Sequence, residues 1–344
     1  MRYLTRPNVA DEQAGKDLGG YITFESAGFE RLNQLGFGDS GPKCFALGRH
    51  CLEAVCKATR PRRILMPGFT CSSVKKIAAQ QGVDVEYYSL SETLVPQLET
   101  IHQDDLLVLN NYFGLSAGSD GFDAWLRVVA PPRCVIDNTH SMGVSNQFPG
   151  RLSFVSPRKF LPVTDGGILF DPEGLIPGDC MPTRQDVSWH RVAWLFRALD
   201  ERSRDRSYGS YIEFRKGLQD LEYLQLSETT SHLLSVIDIK AVVRRRNENF
   251  KYLRSELPVH PCFAGLGQPG DFSPIGFPLF ADDASDAQAR LSKHRIYTIR
   301  YWPELDSDTS MNEFERELLR HVLIIPIDQR PSESQMSVLK SAVA

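Results

Sequence analysis

Two residues, Asp137 and Lys159, stand where a chain can do covalent chemistry on a carbonyl group. Lys159 closes the irregular segment Ser156-Pro157-Arg158-Lys159, between two apolar runs and ahead of Thr164-Asp165-Gly166-Gly167. Only a neutral amine attacks a carbonyl, so such a lysine must be desolvated enough to lose its proton. The Gly-Gly pair lets backbone approach closely before the next strand. Asp137 ends the run Cys134-Val135-Ile136 and is followed by Asn138-Thr139-His140-Ser141-Met142-Gly143. A carboxylate there can hold a protonated ring nitrogen, and it can equally cap a turn.

Two further places could serve the same ligand. Ala46-Leu47-Gly48-Arg49-His50 puts a glycine turn at the start of an amphipathic helix carrying Cys51, Leu52, Val55 and Cys56. The free N–H groups and dipole of a helix start favour a phosphate, and Arg49 can add a charge-assisted bond. Met66-Pro67-Gly68-Phe69-Thr70-Cys71 and Asn110-Asn111-Tyr112-Phe113-Gly114 each follow a strand, where a side chain can cover one face of a flat ring. Each of these features alone has an ordinary explanation as surface lysine, turn former or loop packing.

The elements that must position them alternate. Ile64-Leu65-Met66, Val83 to Tyr88, Leu106 to Leu109 and Arg133 to Ile136 read as strands, with helical spacing at Val74, Ile77, Ala78 and from Phe122 to Val129. Short apolar runs alternating with helices predict an α/β domain with a mainly parallel sheet covered on both faces. Ligands bind such sheets at the carboxyl ends of strands, where Asn110 and Asp137 both stand. From Arg184 to about Leu257 the sequence turns helix-rich and charged; the run from Arg197 through Arg202 to Arg206 and the triplet Arg244-Arg245-Arg246 read as exposed helix faces. After Pro258, strands at Gly276 to Phe280, Tyr297 to Ile299 and Leu323 to Ile325 alternate with helices near 283–293, 313–321 and 332–342. The organisation expected is an N-terminal segment (1–30), a large α/β domain with long linking helices (31–257) and a small α+β domain (258–344).

In this order and spacing the motifs resemble a family: the pyridoxal-phosphate enzymes of fold type I, and among them the nucleotide-sugar aminotransferases of the DegT/StrS type. The resemblance runs from about residue 30 to the final Leu323-Ile324-Ile325-Pro326-Ile327, and the spacing from Lys159 to Gly166-Gly167 matches the family's. It implies pyridoxal 5'-phosphate as cofactor, Lys159 as the Schiff-base lysine and Asp137 as the partner of the pyridine nitrogen. It places Gly48 and Arg49 in the phosphate turn and Ser156 as a phosphate-binding hydroxyl. His140 stands where the family has a Gln beside the ring hydroxyl. Cys71 occupies the place of a stacking aromatic, which shifts stacking to Tyr112. A second subunit completes such sites, implying a homodimer.

The activity implied is transfer of an amino group from an amino-acid donor such as glutamate to a keto acceptor, by resemblance a nucleotide-linked keto-sugar. The alternatives are a lyase or dehydratase on the same scaffold, or a non-catalytic homologue. Arg300 and Tyr301, in a polar-aromatic cluster with His294 and Trp302, are candidates for substrate binding; an exposed loop explains them as well. Lys plus Arg is 39 against 43 Asp plus Glu, a net charge of −4 that gives no reason to expect nucleic acid or an anionic membrane. Seven cysteines without C-x-x-C pairs fit reduced thiols in the cytoplasm and no metal site. No G-x-G-x-x-G follows a strand and no P-loop pattern occurs, which argues against a dinucleotide or ATP enzyme.

Overall fold

Apolar runs without polar alternation become strands buried on both faces, and the computed structural model shows what each face meets. It describes residues 18–19, 42–129, 134–143, 146–183, 188–200 and 204–343. The first half places β1 (Leu18–Gly19), β2 (Lys43–Phe45), α1 (Gly48–Thr59), β3 (Arg63–Pro67), α2 (Ser72–Ala79), β4 (Asp84–Leu90), β5 (Pro96–Gln97), β6 (Asp105–Asn110) and α3 (Asp120–Val128). Then come β7 (Cys134–Asp137), β8 (Ser141–Gly143), β9 (Leu152–Val155), β10 (Gly167–Phe170) and the helices α4 (Ala193–Asp200), α5 (Arg204–Gln219), α6 (Glu228–Val236) and α7 (Ile239–Glu256). The C-terminal part has α8 (Pro261–Ala264), β11 (Phe272–Pro274), β12 (Phe277–Phe280), α9 (Ala284–Lys293), β13 (Ile296–Tyr297), β14 (Ile299–Arg300), α10 (Glu313–His321), β15 (Val322–Ile325) and α11 (Glu333–Val343).

Eight strands form one sheet in the order β2-β10-β9-β7-β6-β3-β4-β5. From β9 to β4 neighbours are parallel, and β10, β2 and β5 join antiparallel at the two edges. Successive side chains point to opposite faces. Ile64, Met66, Leu106, Val108 and Val135 pack with α1 and α2, while Leu65, Leu107, Leu109 and Ile136 enter a larger core reaching into the C-terminal part. Strand order reverses between β3 and β6. The loops after those two strands therefore diverge and leave a crevice, the usual ligand position in an open α/β sheet.

A three-stranded antiparallel sheet, β12-β15-β14, packs on the larger core together with α9, α10 and α11. Helix α7 ties the two sheets together, and here one reading is corrected. Arg246 is not on an exposed face but 1 % exposed. Its Nε donates to Ser273 Oγ at 3.1 Å, and its Nη2 donates to the carbonyls of Pro274 (3.0 Å) and Ile275 (2.9 Å). A guanidinium is tolerated in a core when its donors meet such acceptors. Asn249 similarly donates to the carbonyls of Ile327 and Asp328. At the start of α10 a capping box joins Asn312 and the buried Glu315, and Asn312 Nδ2 donates to Leu90 O at 2.8 Å. The expected N-terminal segment (apart from β1), Arg133, Arg184 and Arg202 lie outside the described residues.

Candidate active site

Asn110 and Asp137 are register partners at the ends of β6 and β7. Alternation puts both on the face that packs α1. Asn110 reaches across the strand-order reversal, donating through Nδ2 to Thr70 Oγ1 at 2.8 Å. Its Oδ1 is buried without a partner, although the residue is only 6 % exposed. An unmet acceptor at a sheet's carboxyl edge is costly unless a ligand or water completes it.

Lys159 enters the same edge from the short 3-10 turn Pro157–Lys159. Its Nζ donates to Thr139 Oγ1 at 2.8 Å, and the Thr139 N–H donates to Asp137 Oδ1 at 2.9 Å. Burial pushes the Asp137 carboxyl above its ordinary range, and Lys159 and Thr139 pull against that. Burial also lowers the Lys159 amine, with Asp137 and Cys71 opposing. A less basic amine beside a carboxylate is the state a carbonyl-attacking lysine needs. His140 is held well below its ordinary value by burial and by the Lys159 charge, so its ring is neutral.

The helix start expected to hold a phosphate is in place. Gly48 opens α1, and its Cα lies so close to the site that an added Cβ would sit 3.2 Å from Thr139 Cγ2 and 3.7 Å from Ser156 Cβ. Gly166 N donates to Ala46 O, and a Cβ on Gly167 would meet Leu47 O at 2.3 Å. The Gly-Gly pair is thus required by the close approach of β10 to the start of α1. Ser156 is buried and donates through Oγ to Gly166 O at 3.2 Å. Its lone pairs and the first N–H groups of α1 remain for an anion. The Arg49 side chain departs from expectation: its Nη2 donates to Leu218 O (2.6 Å) and Gln219 O (3.0 Å), capping the end of α5. Carbonyls at a helix C-terminus attract a guanidinium, so only the Arg49 backbone faces the turn.

The stacking expectation also changes. Tyr112 is 1 % exposed, stacks on Phe69 at 5.8 Å and donates its hydroxyl to Phe69 O at 2.6 Å, so its ring is turned into the core. Cys71 stays half-buried at the N-cap of α2, its Sγ 3.1 Å from Ser73 Oγ. Tyr301 lies flat on His140, with ring centroids 4.4 Å apart and planes 5° from parallel, and its hydroxyl is buried without a partner. Trp302 stands 5.7 Å from the same imidazole. Arg300 lies within β14, where its Nε is buried without a partner. Its charge acts on Asp283, whose carboxyl is held low mainly by the Asp286 N–H. The structure therefore joins Tyr301, but not Arg300, to the Asp137–Lys159 pair.

Sequence reasoning missed Thr139 as a site residue, placed Trp302 only in the cluster around Arg300 and Tyr301, and used Asn110 only as a strand end. Position supplied a signal for two of them: a hydroxyl two residues past Asp137, and the same strand parity for Asn110. That Trp302 reaches His140 was not legible, because its place depends on how the C-terminal part folds back.

These residues fit pyridoxal 5'-phosphate: a buried amine, a carboxylate at a strand end, an unmet amide oxygen and a glycine-opened helix start. No protein-family model matches the chain, and comparison with curated proteins finds no match. Solved structures do match. An aminotransferase of the DegT DnrJ EryC1 StrS type from Brucella abortus superposes with a TM-score of 0.55 at 12 % identity, over 88 % of this chain and 85 % of that one. The sugar aminotransferase CalS13 from Micromonospora echinospora gives 0.55 at 16 %, over 88 % and 86 %. The GDP-4-keto-6-deoxymannose-3-dehydratase ColD, as a mutant with bound GDP-perosamine, gives 0.62 at 12 %, over 90 % and 89 %. This chain has their fold. The likeness spans both sheets, which bears out the expected fold class: a large, mainly parallel sheet followed by a smaller α+β part.

Proposed function

We propose that the protein is a pyridoxal-phosphate-dependent aminotransferase, moving an amino group from an amino-acid donor such as glutamate to a keto acceptor of the nucleotide-sugar class. The observation that carries this is the half-buried Lys159, its amine placed through Thr139 beside Asp137, at the carboxyl edge of a parallel sheet. Bound there, the cofactor would supply a carbonyl for the lysine and a ring that takes up the electron pair left by Cα–H loss. Asp137 holds a proton on the ring nitrogen. The start of α1 and Ser156 bind the phosphate. His140 would donate to the ring hydroxyl, and Lys159 would be the base that takes and returns the substrate proton. Tyr301, whose buried hydroxyl has no partner among the described residues, would meet the acceptor beside His140, with Trp302 behind it.

The test is a visible spectrum of the purified protein, then borohydride reduction and peptide mapping. A yellow protein labelled at Lys159 supports the reading; a label elsewhere, or none, overturns it. Glutamate should then change the spectrum and yield one 2-oxoglutarate per site. Recovery of the donor nitrogen in the acceptor separates transfer from the elimination that a dehydratase performs.

The active unit proposed is a homodimer. Phe196, Leu199 and Tyr208 on α4 and α5 are about half exposed, apolar surface of the kind a second copy covers. Light scattering at low micromolar concentration should give twice the 38.8 kDa chain mass. No helix among the described residues is long and apolar enough to cross a membrane.

A further inference from the structure

Thr139 lies in the motif after Asp137 but is given no role by it, yet it is the residue that Lys159 touches. Among the described residues, Lys159 Nζ has one hydrogen-bond partner, Thr139 Oγ1 at 2.8 Å, and forms no ion pair with Asp137 within 4.0 Å. Thr139 is itself fixed. It is 7 % exposed, its N–H donates to Asp137 Oδ1, and its methyl lies 3.2 Å from where a Gly48 Cβ would stand. The hydroxyl therefore occupies one place relative to the carboxylate and the helix start.

We propose that Thr139 is a positioning residue for Lys159, giving the amine a neutral resting partner so that Asp137 stays free for another group. This rests on reading Lys159 as the reacting amine. A carboxylate in direct contact would hold the ammonium by charge and keep it protonated. A hydroxyl accepts one hydrogen bond from an ammonium and can donate one to a neutral amine, so it aims Nζ in either state. The groups facing the amine in this balance are Asp137 and Cys71, which favour the charged form, and Arg158 and His140. Arg158 disfavours it, and its Nε is buried without a partner. The neutral His140 ring contributes no charge.

The experiment is competitive labelling of amines in the full chain, freed of bound carbonyl compounds with hydroxylamine, with Lys159 quantified by mass spectrometry across pH. Removing the hydroxyl in Thr139→Val or Thr139→Ala leaves Asp137 as the partner the ammonium can reach and should move the Lys159 titration to higher pH. Labelling at neutral pH should then be about tenfold slower, the factor that a charge-assisted hydrogen bond commands. Thr139→Ser, which keeps the hydroxyl, should titrate like the parent. Unchanged titration in both Val and Ala variants, or a Ser variant that behaves like Val, overturns the proposal. A thermal melt of each variant identifies one that has lost its fold, and the remaining variants then decide. Adding pyridoxal 5'-phosphate to the parent tests the cofactor reading separately. Protection of Lys159 supports that reading, whereas failure to protect overturns it without touching the labelling difference that Thr139 makes.

Discussion

Buried polar groups are handled in two ways in this protein. Along the seam between the two sheets, Arg246 and Asn249 spend their donors on named carbonyls and one hydroxyl. At the carboxyl edge of the large sheet, the Asn110 Oδ1, the Tyr301 hydroxyl and the Arg158 Nε are buried and unmet. A buried group costs about 1–3 kcal/mol when unsatisfied, so the donors of Arg246 and Asn249 are placed for stability, Asn247 Oδ1 on the same helix stays unmet among the described residues, and the edge carries a deficit that a ligand can fill. The contrast separates residues whose loss unfolds the chain from residues whose loss silences it.

The largest effects should fall at the edge and leave the seam intact. Lys159→Ala should lower amino transfer by about 10⁴-fold or more while the melting temperature stays near the parent's. Asp137→Ala should retain the cofactor, held by its phosphate, yet slow Cα–H loss about 10²–10³-fold, measured as exchange of the donor's α-hydrogen with solvent deuterium. The seam should show the reverse. Arg246→Ala removes three hydrogen bonds and a large side chain from a packed core and should cost about 3 kcal/mol or more in denaturant unfolding. The folded fraction should still bind cofactor.

A smaller effect sits at the seam's edge, in Glu315. Burial pushes its carboxyl from an ordinary 4.5 up to about 7, against the N–H groups of Asn312, Phe69 and Leu90 and the charge of Lys75. The folded state thus binds the proton more tightly than the unfolded one. Stability is greatest below pH 4.5 for this group and falls as pH rises through about 7, by about 3 kcal/mol in all. Glu315→Gln should flatten that stretch of the stability profile, read from melts between pH 5 and 8. The smallest effect is expected at Arg300. Replacement with Ala should change either half-reaction by less than about threefold, the scale of a 0.5 kcal/mol surface change. A tenfold rise in one Michaelis constant would move Arg300 into the acceptor site.

Much of this was legible before any coordinates. Continuous apolar runs announced strands covered on both faces, and Asp137 and Gly166-Gly167 follow directly from where those strands end. What stayed hidden depends on contacts between distant segments. Arg49 looked like an anion ligand because nothing local shows that α5 ends beside it, with open carbonyls at Leu218 and Gln219. Tyr112 looked available until Phe69 took both its face and its hydroxyl. Arg246 read as solvent-facing because helical charge patterns do not reveal which neighbour supplies acceptors. Local chemistry was readable, and partner choice was not.

The larger core runs without a break from Leu65 on β3 to Leu339 on α11. A change of architecture near residue 258 is therefore not a break in cooperativity. A chain cut there would leave Leu107, Leu109 and Ile136 facing water on one side of the sheet, and the C-terminal piece would lose the surface it packs on. Heating should yield a single transition, with calorimetric and van't Hoff enthalpies in agreement. The two pieces, expressed separately, should regain structure only when mixed.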